Sequence, residues 1–286
     1  MATIAGVGLQ GVGFGLASGV AVGNKAPSSF TDLFSDISGA YSFRDLNGSG
    51  GAVVNVTRSS DEVRQDFTAT EITDGTLEAF IGAGNNGTIK KWYDQSGNGL
   101  HLNAPTDVTK EPTLVNNGTL VTDNGKPAFS CNSSEYFSIP GTDSVQAKAF
   151  YLVLNVASGD PEVARDVMGM RSGSLNFMRF NSSDGEQVKW NGTGHIFDTT
   201  AEDQQIIVSV DIDSENKLRY FEDGSQSGTT KSGSTGNFQM QRFLRRATNV
   251  DEFKGKVQEA IFFDADKTAI RTDITNNINS FYGTFS

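Results

Sequence analysis

Four carboxylates in the run from Asp211 to Glu222, at Asp211, Asp213, Glu215 and Glu222, fall at loop positions 1, 3, 5 and 12. That is the spacing with which an EF-hand wraps calcium. Asn216 stands where such a loop needs glycine, Lys217 and Arg219 add positive charge, and both flanks read as strands. The segment is expected to be a hairpin tip, with no metal assigned. Alternate residues of a strand share one face, about 6.5 Å apart along the strand. A retaining glycosidase needs two carboxyls about 5–5.5 Å apart, one of them kept protonated. Carboxylates on the Asp213–Asn216 turn would be solvated and ionised, so no catalytic residue is assigned there.

Other chemistries have fewer residues to draw on. His101 and His195 are the only histidines and no GxSxG string occurs, so a serine triad has no support. Cys131 is the single cysteine, which excludes an internal disulfide and a cysteine zinc cluster and suits a small buried thiol. Gly6-Val-Gly8-Leu-Gln-Gly11 has the GxGxxG form, but only five residues precede it and more glycines follow. A nucleotide loop needs a strand before it and a helix after it, so no cofactor is expected. Trp92-Tyr-Asp-Gln-Ser-Gly-Asn-Gly99 is the most distinctive stretch. Trp92 and Tyr93 close a strand and face opposite sides, which assigns one of them to the core. Asp94 and Gln95 suit the following Gly-Asn-Gly turn, which needs positive φ. A ring beside a carboxylate and an amide also suits a sugar, so Trp92, Tyr93, Asp94 and Gln95 form the candidate ligand site.

The surrounding chain must supply the frame. It has 286 residues, 36% hydrophobic and 10% aromatic, enough for a real core, and a net charge of −11, which argues against a nucleic-acid partner. Candidate strands are Val53–Arg58, Thr88–Tyr93, Ala149–Val156, Asn176–Phe180, Ile206–Ile212, Lys217–Glu222 and Lys256–Phe263, separated by Gly/Asn/Ser clusters. Ala149–Val156 is apolar almost throughout, as a central strand buried on both faces would be. Helices are expected over Asp74–Ile81 and Asp266–Tyr282, the second with Ile270, Ile274, Ile278 and Phe281 on one stripe. Many strands and few helices point to a sandwich or barrel.

Residues 2–23 carry no charge and contain seven glycines. The glycines and Gln10 dilute the apolar content below that of a membrane span, and no basic residue precedes the run as a secretory signal requires. The stretch reads as an extended arm in which Val7, Leu9, Val12, Phe14 and Leu16 alternate with small residues and dock on a neighbour.

Ala40-Tyr-Ser-Phe-Arg-Asp-Leu46, Arg58-Ser-Ser-Asp61, Trp92–Gly99 and Gly125-Lys-Pro-Ala128 occur in this order. Together they resemble the amino-terminal half of the arabinofuranosidase B catalytic domain and the bacteriophage structural proteins that share it, over about residues 38–140. The closing elements, from Ile206–Ile212 to the last helix, are similar to the concanavalin A-like and laminin G-like sandwich. The resemblance implies an all-β, two-sheet concanavalin A-like jelly roll with a short C-terminal helix and an extended Gly-rich N-terminal arm. The hydrolases carry a vicinal cysteine pair and an acidic nucleophile before the strand that here begins at Ala149. This chain has Lys148 there and one cysteine, so the fold is carried over and the catalytic residues are not. The expected organisation is an arm over residues 1–30 and a sandwich over 31–286. The expected role is a virion structural protein of tail or capsid, a homo-oligomer held by its arm to other virion proteins and touching host glycans. The alternatives are a glycoside hydrolase and a free carbohydrate-binding module.

Overall fold

A computed structural model of the chain describes residues 29–132, 134–158, 165–173, 175–180, 185–198, 202–246 and 252–286. Two antiparallel layers enclose one core. In the first layer the strands lie in the order Ser225–Ser232, Lys217–Glu222, Gln205–Ile212, Ala149–Val156, Lys254–Phe263 and Ile37–Ser42. The second runs from Arg64–Thr68 through Ala52–Arg58 and Gly87–Trp92 to Leu102–Asn103. It continues through Phe137–Ser138, Arg242–Phe243 and Arg165–Gly169 to Phe177–Phe180, Gln187–Trp190 and Thr193–Ile196. Phe129–Asn132 stitches the layers together, pairing with Lys254–Val257 on one side and with Thr113 on the other. The all-β sandwich expected from the sequence is the observed fold.

Ala149–Val156 is hydrogen-bonded along its length on both edges and buried on both faces. Phe150, Leu152 and Leu154 point into the core between the layers, while Tyr151 and Val153 point the other way. That second face is covered by the C-terminal helix Arg271–Tyr282, through Ile274, Ile278 and Tyr282, and by Phe30 and Phe34 of a short N-terminal helix. Phe30 is buried and stacks near Phe34 and Phe263, so Ser29 and Phe30 belong to the sandwich and not to the arm. The residues Val7, Leu9, Val12, Phe14 and Leu16 of the expected arm lie outside the described residues.

Two bulges decide which side chains reach the functional surfaces. Asn55 pairs with Lys91 and Val56 with Ile89, leaving Lys90 as the extra residue. A bulge sets two successive side chains on the same face, so Lys90 and Lys91 both leave the core while Ile89 and Trp92 enter it. Val153 likewise pairs with Glu259 and Leu154 with Val257, leaving Gln258 extra. Gln258 and Glu259 thus lie together, both fully buried.

The helix expected over Asp74–Ile81 is observed over Thr76–Ile81, and a separate helix, Ala69–Thr73, precedes it. Gly75, in the left-handed region at φ 91°, separates the two. Asp266–Tyr282 shortens to a 3-10 turn at Thr268–Ile270 followed by Arg271–Tyr282. Among the described residues no helix is long and apolar enough to cross a membrane.

Candidate functional site

Trp92–Gly99 is a clamp. Trp92 is fully buried against Phe43 (ring centroids 5.4 Å) and Phe129 (5.1 Å). The Asp94 carboxylate accepts from the amides of Ala40 (3.0 Å), Ser96 (2.9 Å) and Leu100 (3.0 Å) and from the Ser96 hydroxyl (2.9 Å). Gln95 Oε1 accepts from the Leu46 amide at 2.7 Å, and its Nε2 donates to the carbonyls of Ser42 and Arg44, each at 3.1 Å. The turn after them uses positive φ at Gly97 and Gly99, as its sequence requires. Three of the four residues assigned to a ligand are therefore used in holding Ile37–Leu46 in place. Trp92 offers no surface, and the polar atoms of Asp94 and Gln95 are engaged inside the protein. Of the four, Tyr93 alone faces outward to any extent.

Tyr93 lies half-buried at the outer face of the second layer. Its hydroxyl donates to Asp66 Oδ1 at 2.9 Å, and Asn55 Nδ2 donates to the same oxygen at 2.7 Å. Burial and the hydrogen bond to Asp66 push the phenol up to about 12, so it stays a donor. Lys91 Nζ stands 5.1 Å from the ring centroid and His101 meets its edge at 5.1 Å. Register explains the grouping: Asp66 pairs with Asn55, Asn55 with Lys91 and Lys91 with Asn103, a polar row across four strands. This strip presents a carboxylate, amides, an ammonium and an imidazole, a donor and acceptor set that matches sugar hydroxyls. The sequence left Asp66, Asn55, Lys91 and His101 unassigned. The polar break at Asn55 within an apolar strand marked an outward position, but the cross-strand register was not readable.

His101 Nδ1 accepts from the Asp94 amide at 3.1 Å, which assigns the ring proton of the neutral form to Nε2. Burial and then Lys91 hold its pKa below the ordinary 6.5, and burial and then Lys231 do the same for His195. The folded state thus favours both neutral rings, while the unfolded chain takes up protons at higher pH. Stability from these rings is present above about pH 6.5 and is lost as pH falls through their folded values. The melting temperature is expected to drop between about pH 7 and pH 5.5, before the carboxyls titrate. The double variant His101→Gln/His195→Gln should flatten that slope. An unchanged slope refutes the assignment.

The acidic run does not assemble a catalytic pair. Asp211 is buried within its strand, held by Arg219 Nη1 at 3.1 Å and by Arg271 Nε. Burial raises its carboxyl and the two guanidiniums draw it back, with a net upward direction. Burial also acts upward on Asp213, but the amides of Lys217 and Glu215 and the Arg219 guanidinium bring it below the ordinary value. A raised acid beside a lowered one is the electrostatic pattern of a hydrolase pair. Here the raised member is 1% exposed and bonded to two arginines, so it cannot reach a glycosidic oxygen. Asp213 caps the hairpin tip through the Glu215 amide, and Glu215 pairs with Lys217. Among the described residues no three potential metal ligands come together. Cys131 is buried and unbonded, and burial and then Glu135 push its thiol well up.

The layers, their order and the helix-covered central strand define a two-sheet antiparallel sandwich. No protein-family model and no curated protein matches the sequence. Among solved structures, the chain is similar to a GH54 α-L-arabinofuranosidase soaked with a cyclic sulfate inhibitor, with a TM-score of 0.62 and 15% identity. The match covers 87% of this chain and 63% of that one. An arabinofuranosidase complexed with arabinofuranosyl-α-1,2-xylobiose gives a TM-score of 0.63 at 15% identity, over 85% of this chain and 62% of that one. The chain spans less than two thirds of the length of either structure. The likeness to the arabinofuranosidase sandwich implied by the sequence motifs is present at the level of the fold.

Proposed function

We propose that the chain is a non-hydrolytic, glycan-contacting sandwich module of a virion, meeting host-surface sugars through the Tyr93 strip. Residues 1–28 join it to neighbouring virion proteins, and copies assemble as a homo-oligomer. The observation that carries the glycan reading is the clamp: it turns Tyr93 outward beside Asp66 and Asn55 and directs its other polar groups inward. The non-hydrolytic reading is supported by the engagement of four of the buried carboxylates. Arginines hold Asp166, Asp211 and Glu259, and backbone amides hold Asp94. The virion setting is supported by the motif likeness to phage structural proteins and by the uncharged amino-terminal segment.

The test uses the full chain and immobilised cell-surface polysaccharide of a candidate host. Tyr93→Ala combined with Asp66→Asn is expected to lower retention by about tenfold or more, since tenfold corresponds to the loss of about 1.4 kcal/mol of contact. Melting should change little. Undiminished retention overturns the strip as the contact surface, and release of reducing sugar by the unmodified chain overturns the non-hydrolytic reading. In the same series, deletion of residues 1–26 should leave a cooperatively melting sandwich that fails to enter particles. Normal incorporation refutes the anchoring role.

A further inference from the structure

A cavity of about 310 Å³ lies between the C-terminal helix and the Asp223-Gly224 turn, well apart in sequence from the Tyr93 strip. Its polar lining includes Asp223, Ser225, Arg271, Thr272 and Asn276, and its apolar wall is Phe285. Gly224 sits at the mouth with φ +78°; a Cβ there would lie 3.6 Å from Thr275 Cγ2 and 3.8 Å from Phe285 Cζ. The missing side chain keeps this wall accessible.

Phe285 differs from the other surface rings. Five aromatic side chains among the described residues are half-buried: Phe80, Tyr93, Tyr136, Phe281 and Phe285. Four have a cation over the ring: Arg58 over Phe80 at 4.6 Å, Lys91 over Tyr93 at 5.1 Å, Arg245 over Tyr136 at 4.2 Å and Lys126 over Phe281 at 4.4 Å. Phe285 has neither a cation nor a ring partner among the described residues. It is nevertheless fixed in position. Gly283 ends the helix in the left-handed region, and Asn279 brackets the returning chain. Asn279 Oδ1 accepts from the Phe285 amide at 3.1 Å and Nδ2 donates to the Phe285 carbonyl at 2.8 Å. The ring packs in part against the apolar cluster beneath the helix and lines the cavity, so on its pinned backbone it is a preorganised apolar wall.

The polar groups around it have capacity left. Arg271 gives its Nε to Asp211 and lies 3.9 Å over Phe221, while its terminal amino groups take no acceptor among the described residues. Asp223 accepts the Ile207 amide on Oδ1 at 2.9 Å, leaving Oδ2 open. Ser225, Thr272 and Asn276 make no side-chain hydrogen bond among the described residues. Arg271 is balanced by Asp211, and Asp223 disfavours an anion, so the complement suits an uncharged ligand rich in hydroxyls. We propose that this cavity binds one neutral sugar residue. Its C–H face rests on Phe285, adjacent hydroxyls bond Arg271 and Asp223, and a further hydroxyl bonds Asn276. The proposal rests on the glycan-contacting reading of the module but not on the Tyr93 strip.

The experiment titrates the full chain with D-galactose, D-glucose and, as a charged control, D-glucuronate, at millimolar concentration with saturation-transfer NMR. A neutral hexose should saturate and D-glucuronate should bind more weakly. Phe285→Ala and Asn276→Ala should each weaken binding about tenfold with the melting temperature unchanged, and Phe285→Trp should retain it. Tyr93→Ala should leave this binding intact. Absence of neutral-hexose binding, or binding that Phe285→Ala does not alter, overturns the pocket. Polysaccharide retention that depends on Tyr93 but not on Phe285 overturns the pocket while sparing the module's proposed role. Hexose binding lost with Phe285 while Tyr93 proves silent in polysaccharide retention overturns the strip and supports the pocket.

Discussion

Glu259→Ala is expected to destabilise the protein by about 3–5 kcal/mol, the loss that follows when one partner of a buried ion pair is removed. Glu259 is fully buried, and Arg44 grips it with two parallel bonds, Nε to Oε2 at 2.7 Å and Nη2 to Oε1 at 2.8 Å. The Ser42 hydroxyl donates to Oε2 at 2.7 Å and the Tyr282 hydroxyl lies 3.2 Å from it. Burial, and then the charge of Glu259, pushes the Tyr282 phenol well up and keeps it a donor. Without the carboxylate, a guanidinium whose side chain is only 14% exposed loses its counter-charge. The rings of Phe281 at 5.2 Å and Phe30 at 5.4 Å compensate only in part. Urea unfolding should show a lower midpoint at unchanged slope. Arg44→Met combined with Glu259→Leu should recover most of the loss, because apolar replacement of a whole buried pair is close to neutral. A loss below about 1 kcal/mol for Glu259→Ala would show that the pair behaves as a surface contact.

Trp92→Ala is expected to cost about 3–5 kcal/mol, and the adjacent Tyr93→Ala about 1 kcal/mol or less. Trp92 is fully buried and meets Tyr41, Phe43, Phe129, Phe137 and Phe243 within 6.4 Å between ring centroids. Tyr93 makes one hydrogen bond and an edge contact at a half-exposed position. The Trp92 indole N–H finds no acceptor among the described residues. Trp92→Phe therefore removes an unpaired donor along with some volume, and should cost under about 1.5 kcal/mol. Circular dichroism in urea measures all three variants, and Trp190 supplies fluorescence in each. Equal costs at positions 92 and 93 would contradict the division of this dipeptide between core and surface.

What was legible in the sequence follows from how local its cause is. Ala149–Val156, a nearly continuous apolar run, and Lys217–Glu222 are observed with the expected bounds. Strands of two residues such as Leu102–Asn103 and Arg242–Phe243 carry no periodicity to read, since tertiary pairing alone creates them. Ser225–Ser232 is polar along its length and so carries no apolar strand signal. Thr68 and Glu71 form a capping box at the start of Ala69–Thr73, a signal carried by the local sequence alone. The candidate site was half legible. The Trp92/Tyr93 alternation and the positive-φ turn are local facts, whereas the partners of Asp94 and Gln95 lie about fifty residues earlier. Asp211 shows the limit most clearly. Its neighbour Arg219 is across a hairpin, but Arg271 comes from a helix sixty residues away, and together they make a strand carboxylate part of a buried ion cluster.

The strand Lys254–Phe263 borders Ala149–Val156 on one edge and both Ile37–Ser42 and Phe129–Asn132 on the other. All three partners precede it by about a hundred residues or more, so on the ribosome they emerge long before the strand that joins them. Through that interval each presents an unpaired edge that invites association with other chains. The sandwich is thus closed from its late end, by contacts of high sequence separation that form slowly. A nascent chain stopped short of residue 254 lacks the shared strand altogether. Its second layer and the four strands from Ala149–Val156 to Ser225–Ser232 are already present, but the edges that Lys254–Phe263 would cover stay unpaired and invite association with other chains.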